Sequence, residues 1–212
     1  ETRRPYAFLD IDGAAAFDAA TRRLADLGHR SIALINAPDH YMFAHFREQG
    51  WRGALADLGL APGPIRVGEP TEENGFRLAQ SLIHLPDRPT AILCGTDRLA
   101  VGALRALAQA GLRAGRDLLV IGYDDLPVAT YTEPALTTIA QPLARAGERL
   151  VEMLLAVLEG TDPAALQEIW PAHLVVRASD GPAPETTTQK DIATTQAKPP
   201  KGGKSNARIS SR

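Results

Sequence analysis

The charged residues of this sequence that could bind a ligand follow the ends of apolar runs or stand close to aromatic residues in the sequence. Asp124 and Asp125 come directly after the run "LLVIGY", and Arg47 stands in "FREQGW", a few positions after Tyr41 and Phe43. At neutral pH a carboxylate only accepts hydrogen bonds, whereas a guanidinium is a planar fork of donors. Aromatic faces pack well against the apolar faces of sugar rings and bases. Together these residue types predict a binding site for a sugar or a purine.

Each of these residues also has an ordinary structural interpretation. Asp124 could cap backbone N–H groups of its own loop, and Arg47 could be a solvated helix residue. Phe43 and Trp51 could simply belong to the core. Residue type alone does not choose between these interpretations and a ligand site.

Patterns typical of catalysis are missing from the sequence, which has no GxSxG, no HExxH and no Walker loop. The five histidines show no spacing typical of metal ligands. The single cysteine, Cys94, lies in the apolar run "TAILCG", where a thiol is usually inert. We therefore expect a binding protein rather than an enzyme, with no metal and no cofactor.

The elements that must position these residues alternate along the chain. Strand-like apolar runs such as "SIALIN", "TAILCG" and "DLLVIGYD" are separated by helix-like segments that end at glycine or proline. This order predicts an α/β fold with a parallel sheet and helices on both faces. Ligands of such sheets bind beyond the carboxyl ends of the strands. The residues expected at that shared edge are Asn36, Gly68, Gly95, Thr96 and Asp124.

Composition bounds the remaining possibilities. The chain has 212 residues, of which 44% are hydrophobic, and a formal net charge of −2, which gives no electrostatic signal for nucleic acid. No apolar run is long enough to cross a bilayer, and the single cysteine fits a reducing compartment, so we expect a cytoplasmic protein. Residues 179–212 have six Lys/Arg, three Asp/Glu and many Thr, Pro and Gly, which predicts a disordered, solvated tail.

Five segments, in order, carry a resemblance to a known family. "LGHRSIALI", "FREQGWRGAL", "RPTAILCGTDRLAVGALRALAQAGL", "DLLVIGYDDLP" and "PALTTIAQPLARAGERLVEMLLAVLEG" are similar to consecutive signatures of the lactose-repressor (LacI/GalR) family of transcription regulators. The similarity covers roughly Tyr6 to Arg177. It implies the type I periplasmic-binding-protein fold, in which three crossing strands join two α/β lobes and a small effector sits between them.

The resemblance also implies how the chain is divided. Residues 13–123 and 168–178 match the C-terminal lobe, whereas residues 1–12 and 124–167 match crossing segments and part of the N-terminal lobe. Residues 1–178 are thus expected to form a sensor domain. The family's N-terminal helix-turn-helix headpiece and most of the first half of its N-terminal lobe have no counterpart here. We expect that loss to expose apolar surface on the helix Leu143–Leu158 and to leave that helix marginally stable.

Several effector contacts are implied position by position. Arg47 and Asp124 match the effector-binding arginine and aspartate of the family. Thr96 matches a position that often contacts effector, and Tyr41 and Phe43 fall in a loop that lines the cleft.

Other matched positions are less specific. Asp97 is expected to cap a helix. Either Asp10 or Asp12 matches an acidic cleft position, and the similarity does not distinguish them. Pro70 stands where several relatives have an aromatic residue, which argues against stacking of the ligand from that side.

The function implied by the resemblance is allosteric. A small effector, expected to be a sugar, would bind between the lobes of a homodimer and control operator binding by headpieces that this chain lacks. The first alternative is a periplasmic sugar-binding protein of an ABC transporter or a sensor system. The second is an enzyme on a doubly wound sheet, in which Asp124 and Arg47 would polarise a substrate.

Overall fold

A computed structural model describes residues 6–181 of the chain. The expectation of a disordered tail therefore lies, beyond Gly181, outside the described residues. The strands are β1 (Phe8–Ile11), β2 (Ile32–Asn36), β3 (Ile65–Val67), β4 (Ala91–Cys94), β5 (Leu119–Ile121), β6 (Thr138–Ala140), β7 (Gln167–Trp170) and β8 (His173–Val175). The α-helices are α1 (Gly13–Asp26), α2 (Met42–Asp57), α3 (Glu72–Ile83), α4 (Asp97–Gln109) and α5 (Leu143–Leu158), with short 3-10 turns at Pro127–Thr130 and Pro163–Ala165.

The main sheet is parallel, with strand order β3-β2-β4-β5. Strands β2 and β4 are buried along their whole length, as continuous apolar strands should be when helices cover both faces. Alternate residues of the central strands enter two separate cores, one under α1 and α2 and the other under α3 and α4. Beyond β5 the sheet continues irregularly, since the Asp124 N–H donates to the Ile139 carbonyl at 2.8 Å, and β6 then pairs antiparallel with β8. The expected α/β periplasmic-binding-protein-like fold is confirmed.

Local sequence explains where the helices begin and how closely they pack. The Asp12 carboxylate caps α1 through Ala15 N–H at 2.8 Å, and the Thr96 hydroxyl caps α4 through Leu99 N–H at 3.3 Å. Thr96, and not Asp97, therefore caps this helix. Helix α2 approaches α1 so closely that a Cβ on Gly50 would lie 2.0 Å from a backbone oxygen of α1, so only glycine fits there.

A smaller unit consists of α5 and the parallel pair β1–β7. One face of α5 buries Ala146 and Met153, whereas its other face is apolar and open. Leu154 and Leu158 on that face are 58% and 75% exposed. The expected exposure of apolar surface on this helix is confirmed. No helix within residues 6–181 is long and apolar enough to cross a membrane.

The expected start of the crossing segment, at residue 124, needs correction. Ala129 and Leu136 are buried in the core under α3 and α4, and Ile139 is buried in the core under α1 and α2. Because β6 also bonds to the end of β5, the chain leaves the main unit only after Ala140.

The expected start of the tail, at residue 179, also needs correction. The Ser179 hydroxyl donates to the Val120 carbonyl at 2.6 Å, and Val120 N–H donates to the Ser179 carbonyl at 2.9 Å. The buried Asp180 carboxylate accepts from Thr137 Oγ1 at 2.7 Å and from Arg23 Nε at 2.5 Å. Hydrogen bonding thus makes Ser179 and Asp180 part of the fold, which polar composition alone does not indicate.

The Asp180 contacts predict a stability effect. Asp180→Ala should lower the free energy of unfolding by about 2–4 kcal/mol, because it leaves the buried Thr137 hydroxyl without an acceptor and the half-buried Arg23 guanidinium without its carboxylate partner. Urea denaturation followed by circular dichroism measures this. Asp57→Ala is the matched control, because Asp57 pairs with Arg22 at the surface and its loss should matter much less. Equal losses in the two variants would contradict the structural role of Asp180.

The open face of α5 predicts uneven local stability. Amides of α5 should exchange with solvent at least about tenfold faster than those of α4, whose apolar residues are largely buried. Native-state hydrogen exchange checks this. Met153→Ala should weaken protection of α5 further, whereas Leu154→Ala, on the open face, should leave it nearly unchanged. Protection of α5 equal to that of α4 would refute the expectation.

Candidate ligand-binding site

A cavity of about 270 Å³ lies where the main sheet meets the smaller unit. Its walls come from the end of β1, the starts of α1 and α2, and the residues that follow β5 and β6. The edge is the one at which the sequence predicted a site, at the carboxyl ends of the strands. The lining residues are Asp10, Ile11, Gly13, Met42, Phe43, Phe46, Arg47, Tyr123 and Gln141.

Arg47 is the central polar group of this cavity. Helix α2 carries it inward, where it is 6% exposed and its Nη1 donates to the Gly95 carbonyl. The guanidinium carbon lies 3.6 Å from the centre of the Tyr123 ring and 4.3 Å from that of Phe43. Burial lowers the pKa of Arg47, while the neighbouring Tyr123 and Asp124 oppose that change. Within residues 6–181 its buried Nε has no hydrogen-bond partner, so part of its donor capacity is unused.

Asp124 stands beside the cavity rather than on its lining. Its side chain is half-buried, and Oδ1 accepts from Gln141 Nε2 at 3.0 Å. Burial raises the pKa of Asp124 to about 6, the Arg47 charge opposes this rise, and Asp97 adds to it. The carboxylate is therefore poorly solvated and retains capacity to accept further hydrogen bonds.

Asp10 and Asp12, the two candidate acidic residues near the first strand, have different surroundings in the structure. Asp10 lines the cavity, and its Oδ1 accepts from the backbone N–H of Ile11 at 2.8 Å. Asp12 is occupied as the cap of α1. Asp10 is therefore the acidic residue that faces the cavity.

Two other residues predicted to contact a ligand, Thr96 and Tyr41, are like Asp124 not on the lining of the cavity. The Thr96 hydroxyl is used in capping α4, and the side chain is buried behind the site. The Tyr41 hydroxyl donates to Glu69 at 3.0 Å near the surface, while its ring lies 5.3 Å from that of Phe43. Phe43 lies in the first turn of α2 and lines the cavity together with Phe46, whereas Pro70 is not part of the lining.

Sequence reasoning missed two polar members of the site. Tyr123 directly precedes Asp124, and its ring faces the Arg47 guanidinium. Gln141 follows the end of β6 as Asp124 follows β5, so the same strand-end rule could have identified it. Trp51, by contrast, is fully buried in the core.

The arrangement suits binding of a polar ring compound. Carboxylates offer acceptors, Arg47 and Gln141 offer donors, and Phe43 offers an apolar face. Nothing in the lining pairs a nucleophile with a base, which activated nucleophiles require. Across residues 6–181 no group of three His, Cys, Asp or Glu side chains could hold a metal ion.

Comparison with known proteins places the chain in a family. The profile of a family described as a periplasmic binding protein-like domain matches residues 21–179. The chain is 42% identical over 188 residues to the HTH-type transcriptional regulator AglR of Rhizobium meliloti (strain 1021), which covers 86% of this chain and 52% of AglR. It is 35% identical over 167 residues to the HTH-type transcriptional repressor CytR of Escherichia coli (strain K12), which covers 78% of this chain and 49% of CytR.

Solved structures agree with these sequence matches. A regulatory protein of the LacI family from Chloroflexus aggregans superposes with a TM-score of 0.80 at 36% identity, over 85% of this chain and 66% of that one. A LacI family transcriptional regulator from Enterococcus faecium with bound ribose gives a TM-score of 0.74 at 27% identity, over 82% and 65%. A Lac repressor dimer bound to operator and the anti-inducer ONPF gives 0.77 at 30% identity, over 85% and 66%.

The chain spans about half the length of the curated relatives that it matches. Those relatives are transcriptional regulators and not enzymes. The family match begins within α1 and includes all of the main sheet and the helices α2, α3 and α4. The chain therefore belongs to the periplasmic binding protein-like domain family, in the form that LacI-family transcriptional regulators carry as their effector-binding domain.

Proposed function

We propose that this domain senses a small sugar and that sugar binding controls operator binding through a helix-turn-helix headpiece. The observation that carries the proposal is the buried guanidinium of Arg47, which lies between aromatic rings in a cavity beside the Asp124 carboxylate. The relative with bound ribose supports a sugar as the effector class. A cavity of about 270 Å³ lies just below the usual range of roughly 300–1,000 Å³ for small-molecule sites, which suits a monosaccharide.

Each polar group of the site has a partner on a sugar ring. Sugar hydroxyls would accept from Arg47 and Gln141 and donate to the carboxylates of Asp124 and Asp10. The apolar face of the ring would pack against Phe43. Thr96 and Tyr41 would support the site indirectly. Thr96 caps α4, and the Tyr41 ring packs on Phe43.

The position of the cavity suggests how binding could be transmitted. Arg47 belongs to the main unit, whereas Asp10 lies on β1 of the smaller unit, and Gln141 lies two residues before α5. A ligand held by all three would favour one arrangement of the two units, which is a population shift by differential affinity. In a cytoplasmic homodimer such a shift would change the spacing of two DNA-binding headpieces.

A periplasmic sugar-binding protein remains the second candidate, because that class shares the fold. The regulator is favoured because AglR and CytR, which match most of this chain, are HTH-type transcriptional regulators. The upstream coding sequence distinguishes the two: a helix-turn-helix supports the regulator, and a secretory leader supports the transporter component.

Substitutions of the two anchors test the proposed site. A thermal-shift screen of sugars, sugar phosphates and nucleobases should find a sugar that raises the melting temperature of this chain. The same sugar should stabilise the protein encoded by the whole coding region to which the chain belongs. Arg47→Ala and Asp124→Asn should each weaken its binding about 10- to 100-fold, because each removes a charge-assisted hydrogen bond. Arg52→Ala is the matched control, since Arg52 lies on the same helix and pairs with Glu48 away from the cavity. Undiminished binding by both anchor variants would refute the site.

The raised pKa of Asp124 predicts pH-dependent binding. Sugar hydroxyls donate to the ionised carboxylate, so the association constant should fall about tenfold per pH unit below pH 6, where Asp124 becomes protonated. Calorimetric titration of the sugar between pH 7.5 and 5 measures this fall. Asp124→Asn carries no titrating carboxyl and should remove that step. Constant affinity of the parent chain across this range would contradict a role for the Asp124 carboxylate.

A further inference from the structure

A second aspartate, Asp97, lies fully buried behind the site and does not line it. It is the first residue of α4, yet its side chain makes no cap for that helix. Instead, Oδ2 accepts from the backbone N–H of Leu126 at 2.8 Å, and Oδ1 accepts from Thr138 Oγ1 at 2.5 Å. Its backbone N–H donates to the Tyr123 carbonyl at 2.7 Å. One residue of α4 thereby holds the turn after β5 and also holds β6.

The turn that Asp97 holds has an unusual backbone. Asp124 has φ +120° and Asp125 has φ +54°, both in a region that favours glycine. Such conformations cost on the order of 1–3 kcal/mol each, and they persist only where surrounding contacts impose them. The two contacts of Asp97 fall on either side of this pair, on the carbonyl of Tyr123 before it and the N–H of Leu126 after it.

The carboxylate of Asp97 also packs directly against the strand that leads into the turn. A Cβ on Gly122 would lie 2.2 Å from Asp97 Oδ1, so a larger residue at that position would displace the carboxylate. The other restraints on the turn act on one residue each, and one of them is the Thr138 hydroxyl, which accepts from Asp125 N–H at 3.4 Å. Arg177 pairs with the Asp125 carboxylate at 2.6 Å, and Ile139 accepts from Asp124 N–H at 2.8 Å. Asp97 alone among these partners contacts both sides of the pair.

We propose that Asp97 is a positioning residue that holds the left-handed turn and thereby directs the Asp124 carboxylate towards the ligand. The proposal rests on the ligand site described above. Through Thr138 the same carboxylate fixes β6, and β6 leads to Gln141, the donor to Asp124 Oδ1. Asp97 thus sets the position of both partners of that hydrogen bond without touching the ligand itself.

Two pairs of variants isolate this role in the full chain. Asp97→Ala removes both side-chain bonds, whereas Asp97→Asn keeps an oxygen that can accept from Leu126 N–H. Thr138→Val removes the hydroxyl that donates to Asp97 and also accepts from Asp125 N–H, whereas Thr138→Ser keeps both bonds. The Thr138 pair is milder, so even if Asp97→Ala does not fold, an unchanged Asp124 signal in Thr138→Val contradicts the proposal. The Asp97 pair separates the bonds of Asp97 from the direct bond between Thr138 and Asp125. Amide spectra of α1 and α2 establish that each variant retains the fold.

The first readout needs no ligand. A positive φ brings the amide and α protons of Asp124 close together, which gives a strong intraresidue nuclear Overhauser effect. That signal should weaken in Asp97→Ala and Thr138→Val and persist in Asp97→Asn and Thr138→Ser. In a calorimetric titration with D-ribose as the probe, Asp97→Ala should bind about tenfold more weakly than Asp97→Asn, and Thr138→Val about tenfold more weakly than Thr138→Ser.

The possible failures are distinguishable. If the Asp124 signal is unchanged in both Asp97→Ala and Thr138→Val, Asp97 does not hold the turn and the inference is overturned. If the signal weakens but ribose affinity does not, the turn does not direct Asp124 to the ligand, and the inference is again overturned. If the parent chain does not bind ribose, that result counts against the proposed ligand, and the backbone signal still decides the role of Asp97.

Discussion

The site depends on a guanidinium that has been taken out of water. Burial of such a charge is costly unless other groups compensate it. For Arg47 the compensation comes from the Gly95 carbonyl, the faces of Tyr123 and Phe43, and the opposite charge of Asp124. These groups belong to the ends of two strands of the main sheet and to α2 itself. A single side chain therefore fixes how α2 sits over the ends of β4 and β5, and the cavity is the space that this arrangement leaves.

The same desolvation acts on both anchors of the site. It lowers the pKa of Arg47 and raises that of Asp124, because in each case it disfavours the charged form. Hydrogen bonds made in such an environment are stronger than at a surface, and unmet capacity there is more costly. Arg47 Nε has no hydrogen-bond partner among residues 6–181, and the Asp124 carboxylate has capacity to accept more hydrogen bonds. A polar ligand would supply partners to both groups. Because the site is shielded from water, a small number of polar groups is sufficient to recognise a polar ligand.

Much of this arrangement could be predicted from the sequence, because it follows from strand ends and helical spacing. Apolar runs that stop at polar residues predicted a site at one edge of the sheet, and the cavity with Arg47 and Phe43 on its lining and Asp124 beside it lies at that edge. Thr96 and Tyr41 were predicted to contact the ligand, and that prediction stands; in the structure their hydroxyls bond to a helix N-terminus and to a carboxylate, and pattern alone does not reveal which partner a hydroxyl takes.

Boundaries were predicted less well than elements. Ser179 and Asp180 are polar and resemble the tail that follows them, yet they are buried by contacts with residues far away in the sequence. Leu136 and Ile139 likewise belong to cores that are built from earlier elements. Long-range pairing of this kind is determined by the assembled fold, and a local window of sequence contains no sign of it.

The pairing of Asp180 has a consequence for the order in which the molecule can be completed. Its partners Arg23 and Thr137 lie 157 and 43 positions earlier, and Ser179 binds a strand residue 59 positions earlier. During synthesis, α1 and β5 leave the ribosome well before the segment that joins them. Until that segment emerges, the outer edge of β5 has unsatisfied backbone groups, which make it open to incorrect pairing with other chains. Closure of the domain is therefore a late event that waits for nearly the whole described chain.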